Sequence, residues 1–275
     1  MTPAEINQTS PPLETPPPSQ PAGGTAPPPP ASSLWNWADL LLFLIFTALS
    51  FLTSYLVVSL GYLGVLSLGG TRGMPHAGPE NSFLSLALQF CFYGLLFGFI
   101  YLLVVAYHRR PFWSSIQWRK PNRRQTLGYM AGGFLLAIFV QLAPTVLPDK
   151  QDFPLQQLFS SPLAAYAVGA FAIFIAPFME ELIFRGVLFA IFERQVNLVF
   201  AITVTALLFA ALHIPEYRGA WNHLLLILFV GVVFSVARGL TRSLAPSVIL
   251  HFAYNLSLIG GLYFQTQHFR TLGLI

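Results

Sequence analysis

The chain has 275 residues, of which 55% are hydrophobic and only 9% are charged. Soluble domains carry about 25% charged residues, so composition alone excludes an ordinary soluble enzyme and defines a membrane protein. The net charge of +4 is not a nucleic-acid signal, because the basic residues gather in one short loop between apolar runs, and a single cysteine excludes an intramolecular disulfide or a multi-cysteine metal site.

Residues 1 to about 33 hold half of the chain's 22 prolines and no lysine or arginine. Such a stretch cannot bury a core and reads as a disordered or polyproline-like tether. The basic start and apolar centre of a cleavable signal peptide are absent from it. Residues 34–275 form the membrane-embedded domain, with the chemistry concentrated at about 160–264.

Span one runs from near Trp37 to near Leu68. It is longer than one crossing needs, so tilt, a bend, a re-entrant segment or a hidden extra crossing is expected there. A Gly- and Pro-rich loop follows, then span two from about Phe83 to Tyr107. Cys91 lies within it and reads as a small buried hydrophobe. The next segment, His108 to Arg124, interleaves six basic residues with Phe112, Trp113 and Trp118. Short basic loops stay cytoplasmic, and tryptophan prefers the headgroup layer, so this loop is expected on the inner membrane surface.

Span three covers about Leu127 to Leu147. Span four, about Leu163 to Glu193, contains Phe178-Met179-Glu180-Glu181-Leu182-Ile183-Phe184-Arg185. Span five runs from about Leu198 to His213, before Pro215. Span six covers about Trp221 to Ala237, where Arg238 and Arg242 mark another inside turn. Span seven covers about Leu244 to Phe264. The expected fold is an all-α polytopic bundle of seven to eight spans. Counting from the basic loop puts the N-terminus in the cytoplasm and the C-terminus outside.

The buried polar residues carry the functional argument. A charge at mid-bilayer costs about 2.5–3.5 kcal/mol on insertion scales, so two adjacent carboxylates there must be compensated or used. Glu181 and Arg185 stand at i and i+4, a spacing that permits an intrahelical ion pair. Glu180 lies about 100° around the helix and is left to face a cavity. Phe209 and His213 share one helix face, as do His251 and Asn255. At about 1.5 Å per residue, Glu180 and His213 sit about 20 Å and 23 Å from the inner ends of their spans, and His251 and Asn255 about 11 Å and 17 Å. All four therefore fall near mid-membrane. Alone, each has a plain structural reading, since histidine and asparagine commonly join membrane helices by hydrogen bonds. Together they make a site.

Missing motifs narrow the chemistry. The sequence has no H-E-x-x-H and no G-x-S-x-G, and its aspartates, Asp39, Asp149 and Asp152, lie near span ends or in loops. Glutamate and histidine remain, a combination that can activate water while neighbouring donors hold an oxyanion. A zinc ion held by Glu180, His213 and His251 is the less favoured alternative, because no local chelate spacing is present. No other cofactor is expected.

The ordered triple Glu180-Glu181-x-x-x-Arg185, Phe209-x-x-x-His213 and His251-x-x-x-Asn255 resembles the CPBP family of CAAX prenyl proteases and bacteriocin-processing (Abi) proteins. The resemblance covers about Leu163 to Phe264. It implies an intramembrane glutamic endopeptidase acting on a membrane-associated or lipid-tethered peptide, in a bacterial inner membrane. By that resemblance Glu180 and His213 activate the attacking water, His251 and Asn255 stabilise the oxyanion, and Glu181, Arg185 and Phe209 support the site. The rival readings are a proton-coupled transporter, a non-catalytic scaffold or an immunity protein using the same buried residues.

Overall fold

The computed structural model describes residues 34–68, 82–143, 159, 161–217 and 219–271. These fall in one unit, Leu34–Ile275, and the proline-rich tail lies outside the described residues. The protein is an all-helical polytopic bundle, without a strand among the described residues.

Helix α1 (Trp37–Ser67) is one continuous rod of 31 residues, with neither a re-entrant break nor a second crossing inside it. Asn36 and Asp39 form a reciprocal capping box at its start. The remaining oxygen of Asp39 meets His108 Nε2 at 2.8 Å, which ties the start of α1 to the loop after α2 (Ser82–Leu102). A π-helical turn, Leu103–Tyr107, extends α2. Leu41, Leu44, Leu52, Leu56 and Leu60 are all more than half exposed along α1. Such a surface is an aggregation liability in water and an ordinary contact with lipid chains.

The aromatic-basic loop contains the short helix α3 (Phe112–Ser115). Trp113 is exposed, as the sequence predicts for a surface segment, but Phe112 and Ile116 are buried in the main core cluster. The loop therefore also seals one end of the bundle. Arg119 N–H donates to Ser243 Oγ, and Leu244 N–H donates to Gln117 O. These bonds join the loop to the turn between the last two helices.

Helix α4 (Arg123–Leu142) packs along α10 (Leu244–Gln265). Gly133 permits this approach, because a Cβ there would stand 2.4 Å from Leu250 O and 2.7 Å from Ala253 Cβ. The fourth span is a broken rod, Pro162–Gln195. It comprises α5 (Pro162–Phe174), α6 (Ala176–Glu181), a π-helical segment Leu182–Leu188, and α7 (Phe189–Gln195). Pro177 has no N–H to give the preceding turn, which accounts for the break near Ile175. Helix α8 (Leu198–Leu212) packs beside α9 (Trp221–Thr241).

Among the described residues, six helices are long and apolar enough to cross a membrane. Helix α8 is apolar but has only 15 residues. It is about 22 Å long against a hydrocarbon core of about 30 Å. One sequence expectation changes here. Arg238 is not a residue of the inside turn but is fully buried. Its Nε donates to Arg185 O at 3.1 Å, its Nη2 donates to Gln117 Oε1 at 2.8 Å, and its guanidinium lies over the Phe189 ring. It holds a carbonyl of the π-helical segment, where the wider turn disturbs the regular hydrogen-bond ladder.

Candidate active site

Helices α2, α5, α6, α8, α9 and α10 and the loop after α8 line a cavity of about 220 Å³. Glu180, Phe209, His213, His251 and Asn255 line it. Glu181 and Arg185 stand behind it, each with a fully buried side chain. The structure thus gathers all seven sequence-predicted residues into one place.

The ion pair at the back of the site has the geometry that its spacing predicts. Arg185 Nη1 donates to Glu181 Oε1 at 3.0 Å. Its Nη2 donates to Gly231 O at 2.8 Å and its Nε to Ser235 Oγ at 3.3 Å. The guanidinium carbon lies 4.8 Å from the Phe209 ring centroid. Gly231 eases the arrangement, since a Cβ there would stand a tight 3.3 Å from both Cα and O of Ala206. Helices α8 and α9 therefore meet closely where Arg185 reaches the Gly231 carbonyl.

The same Glu181 oxygen meets His251 Nδ1 at 3.0 Å. A carboxylate can only accept, so Nδ1 carries the hydrogen. The opposite nitrogen, Nε2, stands 3.7 Å from Glu180 Oε2. His213 is held in the same manner by another acceptor, with Nδ1 at 2.8 Å from Phe209 O. A carbonyl also only accepts, so the lone pair of neutral His213 is on Nε2. Phe209 thus serves twice, with its ring against Arg185 and its carbonyl on His213. No hydrogen bond joins Glu180 to His213 among the described residues.

Asn255 Nδ2 donates to Ala172 O at 2.7 Å, bridging α10 to α5. This engages one amide hydrogen and leaves the second. Glu180 retains 18% side-chain exposure, in contrast to its fully buried neighbour Glu181. The π-helical segment begins one residue after Glu181. Such segments cluster at functional sites in helical proteins.

Several site residues escape sequence reasoning. Tyr93, on α2, donates its hydroxyl to Glu180 Oε1 at 3.2 Å. Glu216 and Tyr217, in the turn after α8, line the cavity, as does Tyr254. That turn folds back on His213, whose carbonyl accepts from both Glu216 N–H and Tyr217 N–H. Burial pushes the Glu216 carboxyl up, with Glu180 adding to the shift and His213 opposing it. The Tyr217 phenol is pushed up to about 12, by burial first and then by Glu216. A metal ion would need a convergent donor set, and no group of three His, Cys, Asp or Glu side chains among the described residues has that arrangement.

A multi-span helical membrane protein with an acid–histidine cavity is the class that this fold and site define. The model of the family described as type II CAAX prenyl endopeptidase Rce1-like matches residues 162–257. The matched segment runs from α5 into α10 and contains all three motif pairs, consistent with the CPBP family. At this coarse level the match supports a CAAX-type intramembrane protease, integral to the membrane. No curated protein and no solved structure matches the chain.

Proposed function

We propose that this protein is an intramembrane endopeptidase that hydrolyses one peptide bond in a membrane-associated or lipid-tethered substrate. The reading is carried by one observation. A partly exposed carboxylate, Glu180, shares a single cavity with two histidines whose Nδ1 atoms are both engaged behind them. Such outer partners fix the ring orientation and leave each Nε2 for chemistry.

In the proposed reaction Glu180 takes a proton from water, with His213 Nε2 accepting a hydrogen bond from the same water. The water oxygen bonds to the scissile carbonyl carbon, and the carbonyl electron pair moves onto its oxygen. The second amide hydrogen of Asn255 and the Nε2–H of His251 donate to that oxyanion. Because Nδ1–H is already given to Glu181, His251 donates from Nε2 only as imidazolium, and Glu181 offsets that charge. The C–N bond then breaks, and Glu180 returns its proton to the leaving amine. The products are two shorter peptides. Each oxyanion donor contributes on the order of 10²–10³ in turnover, as in other hydrolases.

The proposed mechanism uses no metal. Protein purified in detergent micelles, without any ion gradient, should cleave a lipid-tethered peptide and keep its activity after exhaustive chelation. Zinc near one per chain, with activity lost on its removal and restored by adding it back, would sink the metal-free mechanism. Uptake driven by a pH gradient, without cleavage, would favour the transporter reading instead.

The proposed setting is a bacterial inner membrane, with the aromatic-basic loop in the cytoplasm. Asn122 is exposed in that loop. In a Cys91→Ser background, Asn122→Cys should resist an impermeant thiol reagent in intact cells and react after lysis. Labelling in intact cells would invert the proposed orientation.

A further inference from the structure

We infer that Tyr93 is a positioning residue for Glu180, a role that brings α2 into the active site although it lies outside the segment matched to the family. The inference rests on the hydrolytic reading above and extends it. Tyr93 is 7% exposed, and its ring stacks on Phe171 of α5, with centroids 5.9 Å apart and an interplanar angle of 11°. Its hydroxyl donates to Glu180 Oε1 at 3.2 Å. The stack fixes the direction of the phenol, and the hydrogen bond fixes one oxygen of the carboxylate.

The consequence is a division of labour between the two oxygens of Glu180. Oε1 is engaged by Tyr93, whereas Oε2 faces His251 Nε2 at 3.7 Å, beyond hydrogen-bond distance. Oε2 is therefore the oxygen open to a water molecule, and Tyr93 prevents the carboxylate from turning it away. A glutamate side chain has three rotatable bonds and, when ionised, two equivalent oxygens, so an unanchored Glu180 would sample unproductive orientations. Proximity catalysis is lost when a reacting group is misplaced by as little as about 1 Å. Glu181 needs no comparable guide, because Arg185 and His251 already hold it.

Tyr93→Phe removes the hydroxyl and keeps the ring against Phe171. Assayed on a lipid-tethered peptide beside the wild type, it should lower kcat about tenfold to a hundredfold, the range expected for losing a hydrogen bond to a charged group. KM and melting temperature should stay close to wild type, a split that a purely structural residue would not give. Tyr93→Leu, which loses both hydroxyl and stack, should lower kcat at least as far and also lower the melting temperature. Wild-type kcat in Tyr93→Phe would overturn the positioning role. So would a fall in kcat found only together with a lowered melting temperature in that variant. Absence of cleavage by the wild type would instead overturn the hydrolytic reading, so the two failures are distinct.

Discussion

Arg185→Met is expected to lower the yield of folded protein sharply and to reduce its melting temperature by on the order of 10 °C, estimated from breaking a buried pair. Arg185 and Glu181 are both completely buried. Removing the guanidinium leaves the Glu181 carboxylate with His251 as its remaining hydrogen-bonded partner, because Glu181 Oε2 has none among the described residues. Breaking a buried ion pair from one side costs about 3–5 kcal/mol. Whole-domain stabilities are about 5–15 kcal/mol, so that loss is a large fraction. The variant also takes one of its donors from Gly231 O, which keeps the Ser235 hydroxyl, and empties the space against Phe209. Adding Glu181→Gln should restore much of the stability, since the double variant buries no unpaired charge. Thermal unfolding followed by size exclusion in detergent measures both effects. A single Arg185→Met variant as stable as wild type would show that the pair is not what compensates the buried carboxylate.

The sequence showed the frame of this molecule because a bilayer imposes simple rules. A run of about 20 apolar residues must be a helix, and its length is legible without any partner. The same solvent makes each buried charge conspicuous, which is why Glu180, Glu181, Arg185, His213 and His251 stand out. The ion pair was legible from i,i+4 spacing alone, and it survives even though Arg185 lies in a π-helical segment.

What was not legible depends on tertiary contact. Tyr93 is one of 10 tyrosines, and nothing in its neighbourhood separates it from an interfacial aromatic. Only the packing of α2 on α5 brings its hydroxyl to Glu180. Arg238 reads as a loop marker because arginines near span ends usually are. Its burial depends on the carbonyl that the π-helical segment presents and on Gln117 from a loop more than a hundred residues earlier. Glu216 follows Pro215, beyond the end of span five, and only the fold-back onto His213 brings it to the cavity. The partner of Asn255, a backbone carbonyl on α5, carries no side-chain signature that a sequence could show.

Glu180→Gln is expected to reduce turnover by about three orders of magnitude, within the range general acid–base groups contribute. The amide matches the carboxylate in size, and its carbonyl oxygen can still accept from Tyr93. Packing around α6 is thus preserved, and the folded state gains no unpaired charge. What disappears is the capacity to take a proton from water and return it to the leaving amine. Glu180 is the partly exposed member of the Glu180–Glu181 pair, and the cavity-lining one. The decisive measurement is single-turnover cleavage of a lipid-tethered peptide by purified Glu180→Gln and wild-type protein, with peptide binding and melting temperature recorded on the same samples. The predicted result is near-complete loss of cleavage with binding and melting temperature unchanged. Cleavage within tenfold of wild type would contradict the assignment of Glu180 as the group that activates water.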